Sequence, residues 1–330
     1  MNTASRSFWK NRKVLVTGYE GFLGSHLTKT LIDAGAKIIG LDIKIRRKET
    51  ILVKQDFAKI TIIKGNVVNY KLICDILKRH KISIIFHLAA EAIVGRSQKN
   101  PLKTFETNIK GTWNILESSR RAKSIEAIVI ASSDKAYGSH KKLPYREDAP
   151  LIANHPYDVS KSCADLLTNT YFHTYGLPVA ITRCGNIYGP GDFNFSRLIP
   201  DAMRSLVINK TLMIRSDGTF VRDYVYVDDI ITGYIKIAEL MKKNSLSGEA
   251  FNLSNEKPIT VIKLLKEINK LNLCGNELKH KIMNTAKYEI KGQYLSAAKA
   301  WRVLDWKPRY SLEKGLRKTT EWYAEYFNKQ

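Results

Sequence analysis

The sequence predicts an α/β fold: a doubly wound parallel sheet carrying a smaller C-terminal α/β lobe. Three observations support this. Short apolar runs alternate with amphipathic stretches through the first half, the pattern of buried parallel strands joined by crossover helices. The first of these runs opens a glycine-rich turn, Thr17-Gly18-Tyr19-Glu20-Gly21-Phe22-Leu23-Gly24. From about Gly185 onward the elements shorten and glycine and proline punctuate the chain.

Val14-Leu15-Val16 reads as a buried strand, Ser25 to Ala34 as a helix that Gly35 ends, and Lys37 to Asp42 as a second strand closed by an acid. Glycines in the intervening turn let backbone N–H groups and the helix N-terminus approach a pyrophosphate. Gly18, Gly21, Phe22, Leu23 and Gly24 are therefore expected to hold a dinucleotide, with glycines that merely connect elements as the competing reading. Asp42 is placed to accept hydrogen bonds from an adenosine ribose. Its carboxylate would repel a 2′-phosphate, so NAD is expected over NADP. Arg46 and Arg47 argue the other way, because guanidinium groups fork onto phosphate.

The alternation continues with a strand at Ile60 to Ile63 that ends in Gly65-Asn66-Val67 and a helix at Tyr70 to His80. Next come an apolar strand from Ile82 to Leu88 running into Ala89-Ala90, a helix from Pro101 to Arg121, and strands at Ala127 to Ala131 and Val179 to Arg183. Ligands of such a sheet bind outside the carboxyl ends of its strands. Gly21, Asp42, Ala89 and Ser133 should therefore meet in one crevice, with Asn66, Val67, Leu88 and Ala90 beside the cofactor. His87 lies inside an apolar run and reads as a satisfied core histidine.

Two separated stretches carry the expected chemistry. Ile130 to Gly138 brings a strand end into the polar turn Ser133-Asp134-Lys135. Tyr157-Asp158-Val159-Ser160-Lys161 opens a helix that runs to Tyr175. Positions four apart share a helix face. Tyr157 and Lys161 should then point into one cleft, where the ammonium would lower the phenol's pKa and make it a base. Ser133 would help hold a substrate hydroxyl.

In the second half, helices are expected at Arg197 to Asn209, Ile230 to Met241, Val261 to Asn272 and Glu313 to Phe327, with a strand at Thr211 to Arg215. The expected division is a dinucleotide-binding domain over 1–183, with 220–245 returning to it, and a mainly substrate-binding lobe over 184–330. Asn186 and Arg222 are candidates to bind a diphosphate, and Arg197 and Arg215 are weaker candidates for the same anion. Surface ion pairs are the alternative for each arginine.

The formal charge is +23, but the basic residues are dispersed and no nucleic-acid motif accompanies them, so a solvated basic surface is the reading. The apolar run from Ile82 to Val94 is too short to span a membrane, and no apolar leader follows Met1. Cys74, Cys163, Cys184 and Cys274 lack metal or redox spacing. A cytoplasmic protein is expected, with no metal, nucleic-acid or membrane partner.

Taken together, these residues resemble the extended short-chain dehydrogenase/reductase family of epimerases and dehydratases acting on nucleotide sugars, over nearly the whole chain. The glycine turn, Leu88-Ala89-Ala90, Thr107-Asn108, the Ser133 segment, Tyr157-x-x-x-Lys161 and Arg222-Asp223 stand in that family's order. Phe8-Trp9, Ser133-Asp134-Lys135 and the stretch from Gly185-Asn186 through Gly191-Asp192 to Arg197-Leu198-Ile199-Pro200-Asp201 are similar to the CDP-glucose 4,6-dehydratase branch. Asn66 and Ser296 depart from it, standing where relatives usually carry aspartates.

The resemblance implies a Rossmann-type domain, NAD, a nucleotide-diphosphate sugar substrate and a homodimer paired through the helices at 101–121 and 157–175. It implies oxidation at C4 with Tyr157 as base and Ser133 positioning the hydroxyl, while Lys161 holds the nicotinamide ribose. Water is then lost across C5 and C6, and hydride returns to C6. Asp134 would be the acid for the C6 oxygen and Lys135 the C5 base. A free lysine titrates at about 10.4, so desolvation and the nearby Lys161 would have to lower it. The alternative is that Lys135 is a solvated turn lysine or a phosphate ligand. A 4-epimerase would need only Ser133, Tyr157 and Lys161, a decarboxylase would need a C6 carboxylate, and a dinucleotide sensor would need no matched base.

Overall fold

The computed structural model describes residues 3–271, 275–285 and 290–328. Alternation along the first strand, Lys13–Thr17, sets the layers: Val14 and Val16 pack into one hydrophobic cluster and Leu15 into another, following the two-residue period of a strand. On the first face Leu27 and Leu31 of helix Phe22–Asp33 and Ile230 and Tyr234 of helix Val227–Leu240 cover the sheet. On the second, Ile73 and Ile76 of helix Tyr70–His80 and Ile115 and Leu116 of helix Gly111–Arg121 do so. Strands covered on both sides read as unbroken apolar runs, which is why they were visible in the sequence.

Seven strands form one parallel sheet, in the spatial order Ala250–Leu253, Val179–Cys184, Ala127–Ala131, Ile84–His87, Lys13–Thr17, Lys37–Asp42, Ile60–Lys64. Thr17 pairs with Leu41 on one side and His87 on the other. The strand order reverses there, and such a switch point is where a doubly wound sheet opens a crevice. Ala250–Leu253 is a strand that no pattern in the sequence predicts. The strand is four residues long and contains Asn252, whose side chain is satisfied by Tyr137, Tyr145 and Ser296.

The helix expected from Pro101 to Arg121 is not uniform. Between Pro101–Phe105 and Gly111–Arg121 the chain takes a π turn at Glu106–Lys110. This turn carries Asn108, whose Nδ2 donates to Ser160 Oγ at 2.9 Å and ties the segment to the helix Pro156–Tyr175. Past Gly185 lie small sheets: Asn186–Tyr188 beside Tyr224–Tyr226, Leu212–Ile214 beside His280–Ile282, and Val221–Arg222 between Ile259–Thr260 and Gly292–Gln293. Helix Leu312–Asn328 packs on helix Leu198–Val207.

Candidate active site

The glycine turn is tight because atoms forbid anything larger. A Cβ on Gly24 would lie 2.0 Å from the Gly18 carbonyl oxygen, and one on Gly18, at φ +71°, would lie 3.0 Å from the Ala89 backbone. Helix Phe22–Asp33 then starts at Gly21 with no side-chain cap. Its first N–H groups have no intrahelical partner, and Phe22, Leu23 and Gly24 line the cleft.

Asp42 is 6% exposed at the end of its strand; its Oδ1 accepts from Arg47 Nη2 and from the Lys44 N–H, and its Oδ2 is buried with no partner. An uncapped helix start over three glycines and an orphaned carboxylate oxygen fit an adenine dinucleotide with a free ribose diol. Buried Glu20 accepts the backbone N–H groups of Arg46 and Arg47 at 2.8 and 2.6 Å, and this pins the loop. Arg47, which the sequence offered as a phosphate ligand, is turned onto Asp42 instead.

Asn66, Val67, Leu88, Ala89 and Ala90 line the same cleft. Asn66 Oδ1 accepts from the Val68 N–H, and the Val67 carbonyl accepts from Asn114 Nδ2. Thr17 Oγ1 receives the N–H groups of Leu88 and Ala89, both at 3.2 Å, and meets His87 Nδ1 at 2.8 Å. Burial pushes His87 down to about 3, so it is a neutral core residue that orders the strand end.

In the catalytic segment, Ser133 caps the short turn Asp134–Tyr137; its Oγ accepts the Lys135 N–H at 3.2 Å and donates to Asp134 Oδ1 at 2.9 Å. Lys135, Tyr157 and Lys161 line the cleft, and Asp134 is buried at 5% exposure. Burial pushes the Tyr157 phenol up to about 12, against Arg197 and a hydrogen bond with Ser133, with Asp134 and Asp158 adding to the rise. Lys161 is buried, donates to the Ala131 carbonyl at 2.7 Å and stands 6.0 Å from the Tyr157 ring centre. Burial pulls it down to about 8. The sequence points to Lys161 as the cation that lowers the phenol; in the structure Lys161 reaches the Ala131 carbonyl and stands 6.0 Å from the ring centre, and Arg197 is the leading cation acting on Tyr157.

Asn186, Arg197, Arg215 and Arg222 all face the cleft, a cavity of about 1110 Å³. Arg197 pairs with Asp192 at 2.9 Å and keeps 40% of its side chain exposed. Arg222 Nη1 donates to the carbonyls of Val221 and Lys291, Arg215 Nη2 to that of Ser196, and Asn186 Nδ2 to that of Asp223.

One residue of this wall and one buried behind it escaped sequence reasoning. Asp158 sits inside the Tyr-x-x-x-Lys motif, 5% exposed and lining the cleft, with Oδ1 unpartnered. Gln293, fully buried, accepts from Lys135 Nζ, and no local pattern announced it.

An NAD-dependent enzyme of nucleotide sugars is the class that this fold and cleft define. More particularly, residues 15–319 match the family model for GDP-mannose 4,6 dehydratase, and the chain belongs to that family. It is 31% identical to a UDP-glucuronate 4-epimerase of Thermodesulfobacterium geofontis, over 94% of this chain and 96% of that one. It is 29% identical to a CDP-glucose 4,6-dehydratase of Salmonella typhimurium, over 96% and 92%. Among solved structures, dTDP-glucose 4,6-dehydratase from Bacillus anthracis in complex with NAD superposes with a TM-score of 0.82 at 29% identity, covering 95% of this chain and 97% of that one.

Proposed function

We propose that the protein is a nucleotide-sugar 4,6-dehydratase, with CDP-glucose the first substrate to try. The observation that carries this is Lys135 on the wall of the cleft that Tyr157 also lines, with Asp134 next to it in the same turn. An epimerase has no use for that second acid/base pair. Bound NAD supplies the hydride acceptor at the start of the cycle and the donor at its end.

The chain's own residues do the rest. Tyr157 takes the proton of the sugar 4-hydroxyl, which Ser133 holds, and Lys161 binds the nicotinamide ribose. With a ketone at C4 the C5 proton is acidic. Lys135 removes it while Asp134 protonates the departing C6 oxygen, so that water leaves; once C6 has received hydride, the protonated Lys135 returns its proton to C5. Asn186, Arg197, Arg215 and Arg222 hold the nucleotide diphosphate. Residues 1–183 with 220–245 serve the cofactor, and most of 184–330 serves the sugar nucleotide.

Incubation with a panel of NDP-hexoses tests the reading, since a 4-keto-6-deoxy product absorbs in alkali and a 4-epimer does not. Tyr157→Phe should abolish all chemistry. Asp134→Asn and Lys135→Met should spare the first hydride transfer and slow water loss by about 10²–10⁴-fold, leaving bound NADH with its absorbance near ~340 nm. Epimerised product without the alkali band would establish the second reading, which the 31% identical UDP-glucuronate 4-epimerase favours.

A homodimer belongs to the same proposal. Leu102, Trp113 and Leu166 are 75%, 41% and 58% exposed on three helices that pack side by side, an apolar surface suited to a second copy. No described helix is long and apolar enough to cross a membrane. Cys74, Cys163 and Cys184 are free thiols, which goes with a cytoplasmic setting; Cys274 lies outside the described residues.

A further inference from the structure

Lys135 takes its seat from the far end of the chain. Strand Gly292–Gln293 runs parallel to Val221–Arg222, with Gln293 opposite Arg222. The Gln293 side chain is fully buried; its Nε2 donates to the Asp134 carbonyl at 2.9 Å, and its Oε1 accepts from Lys135 Nζ. These two bonds fix the amide's orientation. A backbone carbonyl only accepts, so the NH₂ must face Asp134 and the oxygen must face the lysine.

The choice of side chain matters to a base. An amide oxygen accepts a hydrogen bond from an ammonium or from a neutral amine, and it brings no full negative charge. A carboxylate in its place would favour the protonated lysine. Other charged and titratable groups around Lys135 are Asp134 in its own turn, Asp158 and His155 at the helix start, Tyr157, and Arg222 across the strand pair.

We infer that Gln293 is the positioning residue of Lys135: a buried, neutral, orientation-locked amide that aims the amine along the cleft wall and joins it to the strand carrying Arg222. The inference rests on the reading of Lys135 as the C5 base. It also makes a physical link between the arm that grips the substrate anion and the group that moves its proton.

The test uses the full chain with Gln293→Glu and Gln293→Met, both close in volume to glutamine, alongside Lys135→Met. The first readout needs no substrate: acetylation of Lys135 by acetic anhydride against pH, followed by mass spectrometry of its peptide. The second separates NADH formed in the first half-reaction from 4-keto-6-deoxy product, with KM and kcat for CDP-glucose. Gln293→Glu should raise the midpoint of Lys135 acetylation by about 1–2 pH units and move the kcat profile in the same direction. Gln293→Met should make Lys135 react faster with the anhydride and cut kcat at least about tenfold, as expected for a displaced general base, with KM and NADH formation close to wild type.

If Lys135 acetylates as in the wild type in both variants, or if NADH and product fall in parallel, the inference is overturned. Should Gln293→Glu not fold, Gln293→Met decides by the same criteria. If no NDP-hexose is dehydrated, or Lys135→Met still eliminates water, while acetylation shifts as expected, the dehydratase reading fails and the seat of Lys135 stands.

Discussion

Asp158 offers a measurable consequence of where this helix is buried. A carboxylate in the first turn of a helix is ordinarily favoured by the N-terminal dipole. Here burial dominates and pushes Asp158 up to about 6 from 3.8, against the attraction of Lys135 and His155, with Asp134 adding to the rise. At about 1.36 kcal/mol per pH unit, ionising Asp158 costs the fold about 3 kcal/mol. Below pH ~4 the group is protonated both folded and unfolded, and the fold bears no penalty. As pH rises through about 6 the folded protein must give up that proton, and the stability present at low pH is lost.

Asp158→Asn, isosteric and uncharged, should therefore match wild type near pH 4 and exceed it by about 3 kcal/mol at pH 8. In a chain of 330 residues, with an unfolding entropy of about 2.1 cal/mol/K per residue, that is about 4 °C in Tm. Urea unfolding of the two proteins at a series of pH values, followed by tryptophan fluorescence, reads the difference directly and cancels the titrating groups that do not interact with Asp158. A gap that does not widen between pH 4 and 8, or a wild type more stable than the variant at pH 8, would refute the reasoning.

Gly24→Ala should abolish NAD binding while leaving the sheet intact, because its methyl group would sit 2.0 Å from a backbone oxygen that cannot move without opening the turn; calorimetry with NAD beside far-UV circular dichroism checks both halves. Leu102→Glu places a charge on the exposed apolar face of the helices at 101–121 and 156–175, and sedimentation should show the wild type near twice 37.6 kDa and the variant shifted toward a single chain. A wild type that sediments as one chain at micromolar concentration would remove the dimer.

The elements buried on both faces were legible from the sequence, because a parallel strand between helix layers has few polar positions to blur it. Tyr70–His80 and Ala127–Ala131 have the bounds that their residues suggested. The glycine turn was legible for a related reason: its glycines answer to steric contacts within the turn and at the next strand end. What stayed hidden depends on contacts distant in sequence. Gln293 is buried only because a two-residue strand pairs with Val221–Arg222. The π turn at Glu106–Lys110 keeps the apolar spacing of a helix while shifting its hydrogen bonds. Asp158 follows Tyr157 directly, and adjacent helix positions read as different faces. The phenol's rise to about 12 required knowing how much water the folded cleft excludes.

The seventh strand has a bearing on how the protein is made. Val179–Cys184 is buried along its whole length and takes Ala250–Leu253 as its outer neighbour. On the ribosome, the first six strands are therefore synthesised well before the strand that seals them. At about 5–20 residues per second the interval is roughly 3–13 s. For that time the nascent sheet presents a bare apolar edge, the kind of template that recruits another chain. Helix Val227–Leu240 is synthesised within the same interval, and it supplies Ile230 and Tyr234 to one face of the sheet. Cell-free synthesis stalled before Ala250 should accordingly yield a chain held by chaperones, and release past Leu253 should free it.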